Sequence, residues 1–221
     1  MNILIFYASY GGGHFSAANA IKNYLETTYK NSDFEINVKI IDFMKYINTG
    51  IEKLTTNAYK VMAKDAPKTW GMVYKLSDSG PIYHISNFNN KVMSMKLNNL
   101  FKKFNPDLVI STHPFSTQMT ANLKKLNLTS CKLASIMTDY VSQNQWLVGN
   151  KYIDYIFVAT SKMKDEVVSK GVDESKVFDT GIPVLEDFYK HYNKDAIFKE
   201  LQLNPSKKHI LFFGGGEFRT R

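Results

Sequence analysis

Arginine is almost missing from this chain. Its 221 residues hold two, Arg219 and Arg221, both within the last three positions, and apart from histidine every other basic side chain is lysine. Base-specific nucleic-acid readers rely on the planar arginine fork, so its scarcity argues against that class of partner. Cysteine is scarcer still: Cys131 stands alone, which excludes an internal disulfide framework and suits a reducing compartment. Long apolar runs are lacking too, and none approaches the roughly 18 residues that a membrane-spanning helix needs. The opening "NILIFYA" has neither the basic region nor the cleavage site of a signal peptide. These absences lead us to expect a cytoplasmic protein without a transmembrane helix.

Three phosphate-handling signatures are also missing. Counted from Gly11, the dinucleotide pattern Gly-x-Gly-x-x-Gly breaks at Ser16; no Gly-Lys-Ser/Thr follows the glycines, and no Asp-x-Asp pair occurs anywhere. What the sequence does contain is "YASYGGGHFSAANAI", an apolar run leading through Gly11, Gly12 and Gly13 to His14 and a small-residue helix. Consecutive glycines cost backbone entropy on folding. A glycine loop before a helix exposes backbone N–H groups beside the positive end of the helix dipole, which favours a phosphate or a developing oxyanion. A helix N-terminus also disfavours imidazolium, so His14 is expected to be neutral and able to accept a proton. A tight strand-to-helix turn with a capping histidine explains the same residues.

Hydrophobic content of 44% suffices for a core. Strand candidates are "NILIFYA", "FEINVKIIDF", "DLVIST" (107–112), "KLASIMT" (132–138), "YIFVA" (155–159) and "KVFDTG" (176–181), with helices expected at about 14–29, 116–127 and 162–170. Alternating strands and helices predict an α/β fold, a Rossmann-like parallel sheet with helices on both faces and ligands at the carboxyl ends of the strands. From about residue 185, "LEDFYKHYNKDAIFKELQL" reads as a polar helical stretch and "HILFFGGG" as a strand running into Gly214, Gly215 and Gly216. That repeats the logic of the amino terminus and predicts the cut-off start of a second α/β domain. The terminal "FRTR", holding both arginines, is expected not to be the native continuation.

The formal net charge is +8, and it is concentrated: from Phe43 to Phe104 there are ten lysines against three acids, an excess of seven. Aromatic residues and five of the nine methionines are interleaved with them. Lys60, Lys64, Lys68, Trp70 and Lys75 therefore suit an anionic membrane surface, with lysines on lipid phosphates and rings in the headgroup layer. A helical subdomain with an aromatic core and solvated lysines is the competing reading.

Two residues stand at expected strand ends. His113, followed by Pro114, is either a ligand contact or bonded to backbone. Asp139 is placed to orient a histidine, bind an acceptor headgroup or cap the next segment. Trp146 follows in the same loop.

The opening stretch, with "ISTHPF" (110–115), "SIMTDYVSQNQW" (135–146), "DYIFVATSKMKDEVVSKGV" (154–172) and "VFDTGIPV" (177–184), resembles the monogalactosyldiacylglycerol synthase and processive diacylglycerol glucosyltransferase family. The muramyl-lipid N-acetylglucosaminyltransferases are similar more distantly. The likeness covers residues 1 to about 216 and implies the amino-terminal half of a two-domain GT-B glycosyltransferase. It implies an acceptor domain at 1–184 with the basic aromatic insertion at about 43–104. Residues 185–221 would then be an interdomain helix and the truncated start of the UDP-sugar domain. The implied activity is inverting transfer of a hexose from UDP-glucose or UDP-galactose to diacylglycerol or a glycosyl-diacylglycerol, at the cytoplasmic face of the cell membrane.

On this resemblance His14 is the base, Gly11, Gly12, Gly13, Gly214, Gly215 and Gly216 lie near the donor, and His113, Asp139, Gln143 and Trp146 lie on the acceptor side. No metal or cofactor is implied, since the UDP-sugar is a co-substrate. Many members carry histidine where Gln143 stands, and glutamine hydrogen-bonds without moving a proton. The chain alone is expected to be inert, because the family's two ligands meet between two domains. A non-catalytic peripheral membrane-binding domain is the alternative from another class.

Overall fold

The computed structural model describes residues 1–9, 12–47 and 93–211. Its framework is one sheet of six parallel strands: β1 (Asn2–Tyr7), β2 (Asn37–Asp42), β3 (Leu108–Ser111), β4 (Lys132–Ile136), β5 (Tyr155–Val158) and β6 (Val177–Asp179). Their spatial order is β2-β1-β3-β4-β5-β6. Every expected strand from the first to "KVFDTG" is present, in a Rossmann-like α/β arrangement.

The continuous apolar run of β1 follows from its central place. Ile3 and Ile5 face α1 (Gly13–Thr28) in a cluster with Ala18, Ile110, Ala134 and Ile136, while Leu4 and Phe6 point into the larger core on the other side. Both faces are buried, so alternation with polar residues would fail. On α1, Ala17, Ala18 and Ala20 are the buried positions, and such small side chains let the helix lie close to the sheet.

The opposite face is covered by α2 (Phe43–Ile47), α3 (93–104), α4 (Pro114–Lys125) and α5 (Ser161–Ser169). His113 is the N-cap of α4 and Pro114 opens it, where the missing proline N–H costs nothing. Ser116, Thr117, Gln118 and Thr120 of α4 are buried, and each has a partner. Ser116 meets Ser111 Oγ at 2.5 Å, Thr117 meets Ser135 Oγ at 3.2 Å, and Thr120 donates to the Ser116 carbonyl at 2.9 Å. Gln118 Nε2 donates to the Gln145 carbonyl at 2.7 Å. Gly149, at φ +78°, is required where the next loop crosses α4, since a Cβ there would stand 3.0 Å from Ala121 Cβ.

Two expectations for the carboxyl-terminal part need correction. The stretch from residue 185 is not one helix but a short 3₁₀ turn at Glu186–Tyr189 and a separate α6 (Lys194–Glu200). Asn193 divides them, its side chain accepting from the N–H groups of Asp195 and Ala196 and so starting a new helix. No strand forms at 209–211, where Ile210 and Leu211 are 80% and 74% exposed. Gly214, Gly215 and Gly216 lie outside the described residues.

The basic stretch also divides. At its ends Phe43, Met44 and Phe101 are buried and Phe104 packs against the core, so these side chains serve the sheet. Lys60, Lys64, Lys68, Trp70 and Lys75 lie outside the described residues.

Candidate active site

Strand order reverses between β1 and β3: the chain steps from β1 to β2 on one side, then returns to continue on the other. In open α/β sheets the crevice at the carboxyl ends of strands flanking such a reversal is where ligands bind. Two histidines stand there. His14 enters from the first turn of α1, His113 from the end of β3, and their rings meet edge-on with centroids 4.7 Å apart.

The hydrogen bonds fix which nitrogen of each ring carries the proton. His14 Nδ1 lies 2.5 Å from the Thr112 carbonyl oxygen and 2.8 Å from Thr138 Oγ1. A carbonyl only accepts, so Nδ1 bears the hydrogen and Nε2 keeps a lone pair. His113 is the opposite tautomer: its Nδ1 accepts from the Phe115 N–H at 3.2 Å, so Nε2 bears the hydrogen.

Both rings are neutral at pH 7. Burial lowers the His14 pKa below the ordinary 6.5, against the Thr112 carbonyl and the Asp139 carboxylate, which push it up. His113 lies well below 6.5, first because of burial and then because of His14. The expected neutrality of His14 therefore arises chiefly from desolvation. The ring is not the cap of α1, whose N-cap is Gly12.

Gly12 has φ −88°, and a Cβ at Gly12 or Gly13 would meet no atom within 4 Å. Neither handedness nor packing within the described residues requires glycine at these two positions. Among the described residues, nothing fills the space that side chains at these two positions would take. Gly11 lies outside the described residues.

Asp139, half-buried, follows β4 and accepts from Trp146 Nε1 at 3.0 Å. Trp146 was expected to line the acceptor side, but it has no exposed surface. Its contribution is instead to hold a carboxylate at the edge of the site. Gln143 is 8% exposed, and its carbonyl accepts from the Trp146 N–H at 3.1 Å in the turn that seats the indole. The structure thus brings His14, His113 and Asp139 to one end of the sheet and sets Gln143 and Trp146 behind them. Among the described residues no group of three or more His, Cys, Asp or Glu is placed to hold a metal ion.

Thr112 and Thr138 were not singled out in the sequence. Thr112 is fully buried, and its hydroxyl bridges the backbone carbonyls of His14 at 2.9 Å and Phe6 at 3.1 Å. The signal available was position alone, since each threonine directly precedes a singled-out residue at a strand end.

Among solved structures, the lipopolysaccharide outer core galactosyltransferase WaaB superposes with a TM-score of 0.45 at 17% identity, over 80% of this chain and 44% of that one. The UDP-GlcNAc 2-epimerase of Methanocaldococcus jannaschii gives 0.47 at 13% identity, over 92% and 53%. In sequence, a processive diacylglycerol beta-glucosyltransferase of Bacillus licheniformis is 29% identical over 219 residues, 97% of this chain and 54% of its own length. The uncharacterized glycosyltransferase YkoN of Bacillus subtilis (strain 168) is 29% identical over 192 residues, covering 85% of this chain and 48% of its own length. The chain therefore spans about half the length of the curated relatives it matches. The model of the monogalactosyldiacylglycerol (MGDG) synthase family matches residues 14–184, from the candidate base to beyond the last strand, and the chain belongs to that family.

Proposed function

We propose that this chain is the acceptor-binding half of an inverting glycosyltransferase that moves a hexose from a UDP-sugar to diacylglycerol or a glycosyl-diacylglycerol at a membrane surface. The observation that carries the reading is the state of His14. Its imidazole is neutral, its Nδ1–H is committed to the Thr112 carbonyl, and its Nε2 lone pair remains for a substrate proton. In the proposed step the acceptor hydroxyl oxygen bonds to the anomeric carbon while the bond from that carbon to UDP breaks. UDP leaves with the electron pair, and the hydroxyl proton passes to Nε2.

With no side chain on Gly12 or Gly13, the donor phosphates can approach the backbone at the α1 terminus, whose N–H groups disperse the leaving group's charge without a metal. Asp139, held by Trp146, stands on the acceptor side and favours the imidazolium that forms. His113 keeps one face of the base packed and dry.

The test is transfer of labelled hexose from UDP-glucose and from UDP-galactose to diacylglycerol in mixed vesicles, using the complete native reading frame that contains this chain. His14→Gln keeps a polar side chain but removes the basicity, and should lower turnover by about 10²–10⁴-fold. Near-native turnover in that variant excludes His14 as the base.

A further inference from the structure

We propose that Thr138 is the positioning residue of the His14 base, its hydroxyl fixing the ring so that Nε2 is presented to the acceptor. This rests on the reading of His14 given above. Three neighbouring strands converge on one nitrogen: His14 follows β1, the Thr112 carbonyl ends β3, and Thr138 lies just past β4.

The direction of the Thr138 bond follows from the shorter one beside it. If the threonine donated to Nδ1, a bare nitrogen lone pair would face the Thr112 carbonyl oxygen at 2.5 Å, and the two would repel. The Nδ1–H is therefore shared, and both oxygens accept. One acceptor fixes how far the ring reaches; the second, from a strand further across, fixes its rotation. Thr112 contributes through its backbone, which no substitution removes. The Thr112 carbonyl sets the tautomer, and among the described residues the hydroxyl of Thr138 is the side-chain group that adds a second hold on the same N–H.

The same bond acts during turnover. When Nε2 takes the proton, positive charge spreads to Nδ1–H, and both acceptors bind it more strongly. Among the described residues His113, from the cap of α4, and Asp139, from the loop after β4, are the titratable groups that face the ring. His113 is neutral where His14 titrates, and Asp139 favours the charge on His14. Without the Thr138 oxygen the ring is both looser and a weaker base.

The experiment compares Thr138→Val, nearly isosteric but without the hydroxyl, with Thr138→Ser, which keeps it. Nitrogen chemical shifts of labelled histidine in the 221-residue chain report tautomer and titration, with the His14 signal assigned by its loss in His14→Gln. The unaltered chain and Thr138→Ser should both show the Nδ1–H form. Thr138→Val should keep that tautomer, which the Thr112 carbonyl still imposes, and show a titration midpoint moved to lower pH. In the complete reading frame, kcat of Thr138→Val should fall by about ten- to a hundredfold with KM for both substrates nearly unchanged. The acid limb of its pH profile should move lower, and serine should restore both.

An unchanged midpoint in Thr138→Val overturns the proposal, and so does a serine variant as impaired as the valine one. Should valine disturb folding, judged by thermal melting, Thr138→Ala provides the same spectra. If His14→Gln keeps its turnover, the base assignment falls, while the spectra still decide whether Thr138 holds the ring.

Discussion

The ring of His113 stands among His14, Phe43 and Phe115, with centroids 4.7, 5.3 and 5.1 Å away. Protonating Nδ1 would place a charge among these rings and remove the acceptor that caps α4. The folded pKa is lowered from 6.5, so on acidification the unfolded chain takes up the proton first. Stability is therefore at its plateau above 6.5 and falls as the pH drops below it toward the folded value. His14 is shifted the same way and adds to the slope. Asparagine also caps helices and does not titrate in this range. We expect the drop in melting temperature from about pH 7.5 to about pH 5.5 to be smaller in His113→Asn than in the unaltered chain. Melting followed by circular dichroism across a pH series checks this, and an equal slope in the two proteins would contradict it.

At the level of elements, the loop from β4 to β5 carries Thr138, Asp139, Gln143 and Trp146, and it is held from both flanks. On the α4 side Gln118 bonds Gln145. On the α5 side Ser142 donates to Glu166 at 2.7 Å, while Lys170 reaches both the carbonyl and the hydroxyl of Ser142. Ser142 is 2% exposed, so removing its hydroxyl leaves Glu166 and Lys170 short of a shared partner. A lost buried hydrogen bond of this kind costs about 1–3 kcal/mol. Here the cost should appear locally. In Ser142→Ala, amide exchange should quicken at residues 140–147 and stay unchanged in β1 and β3; uniform exchange across the sheet would show that the loop is not held this way.

Much of this architecture was legible because parallel strands buried on both faces leave continuous apolar runs, as in "NILIFY" and "KLASI". His14 and His113 were legible because one follows three glycines and the other precedes a proline. The helix from residue 185 was misread because a polar stretch has no apolar stripe to mark its breaks, and Asn193 looked like one more polar residue. Thr112 and Thr138 escaped notice for another reason. Their partner, His14, lies 98 and 124 residues away in sequence, and only the strand order brings them together.

For the molecule as a whole, charge distribution is the informative quantity. No helix among the described residues is long and apolar enough to cross a membrane. Most of the net charge of +8 falls between Phe43 and Phe104. If that stretch meets the lipid surface, the chain should co-sediment with vesicles containing phosphatidylglycerol and not with neutral ones. Each lysine near an anionic surface contributes about 1 kcal/mol, screened by salt. Replacing Lys60, Lys64, Lys68 and Lys75 by alanine should weaken binding most at low salt, whereas Trp70→Ala should weaken it equally at all salt concentrations. Binding that ignores both lipid charge and salt would exclude this surface.

The stretch departs from α2 and rejoins at α3, and those two helices are neighbours: Lys96 Nζ donates to the Ile47 carbonyl at 3.4 Å. Ile47, Leu97 and Leu100 sink into the core and clamp both ends of the excursion. Closing a loop costs free energy only with the logarithm of its length, about 0.6 kcal/mol for each doubling. With its exit and re-entry fastened side by side, the chain between them can change in length at little cost to the pairing of β1 with β3 or to the candidate crevice at their carboxyl ends.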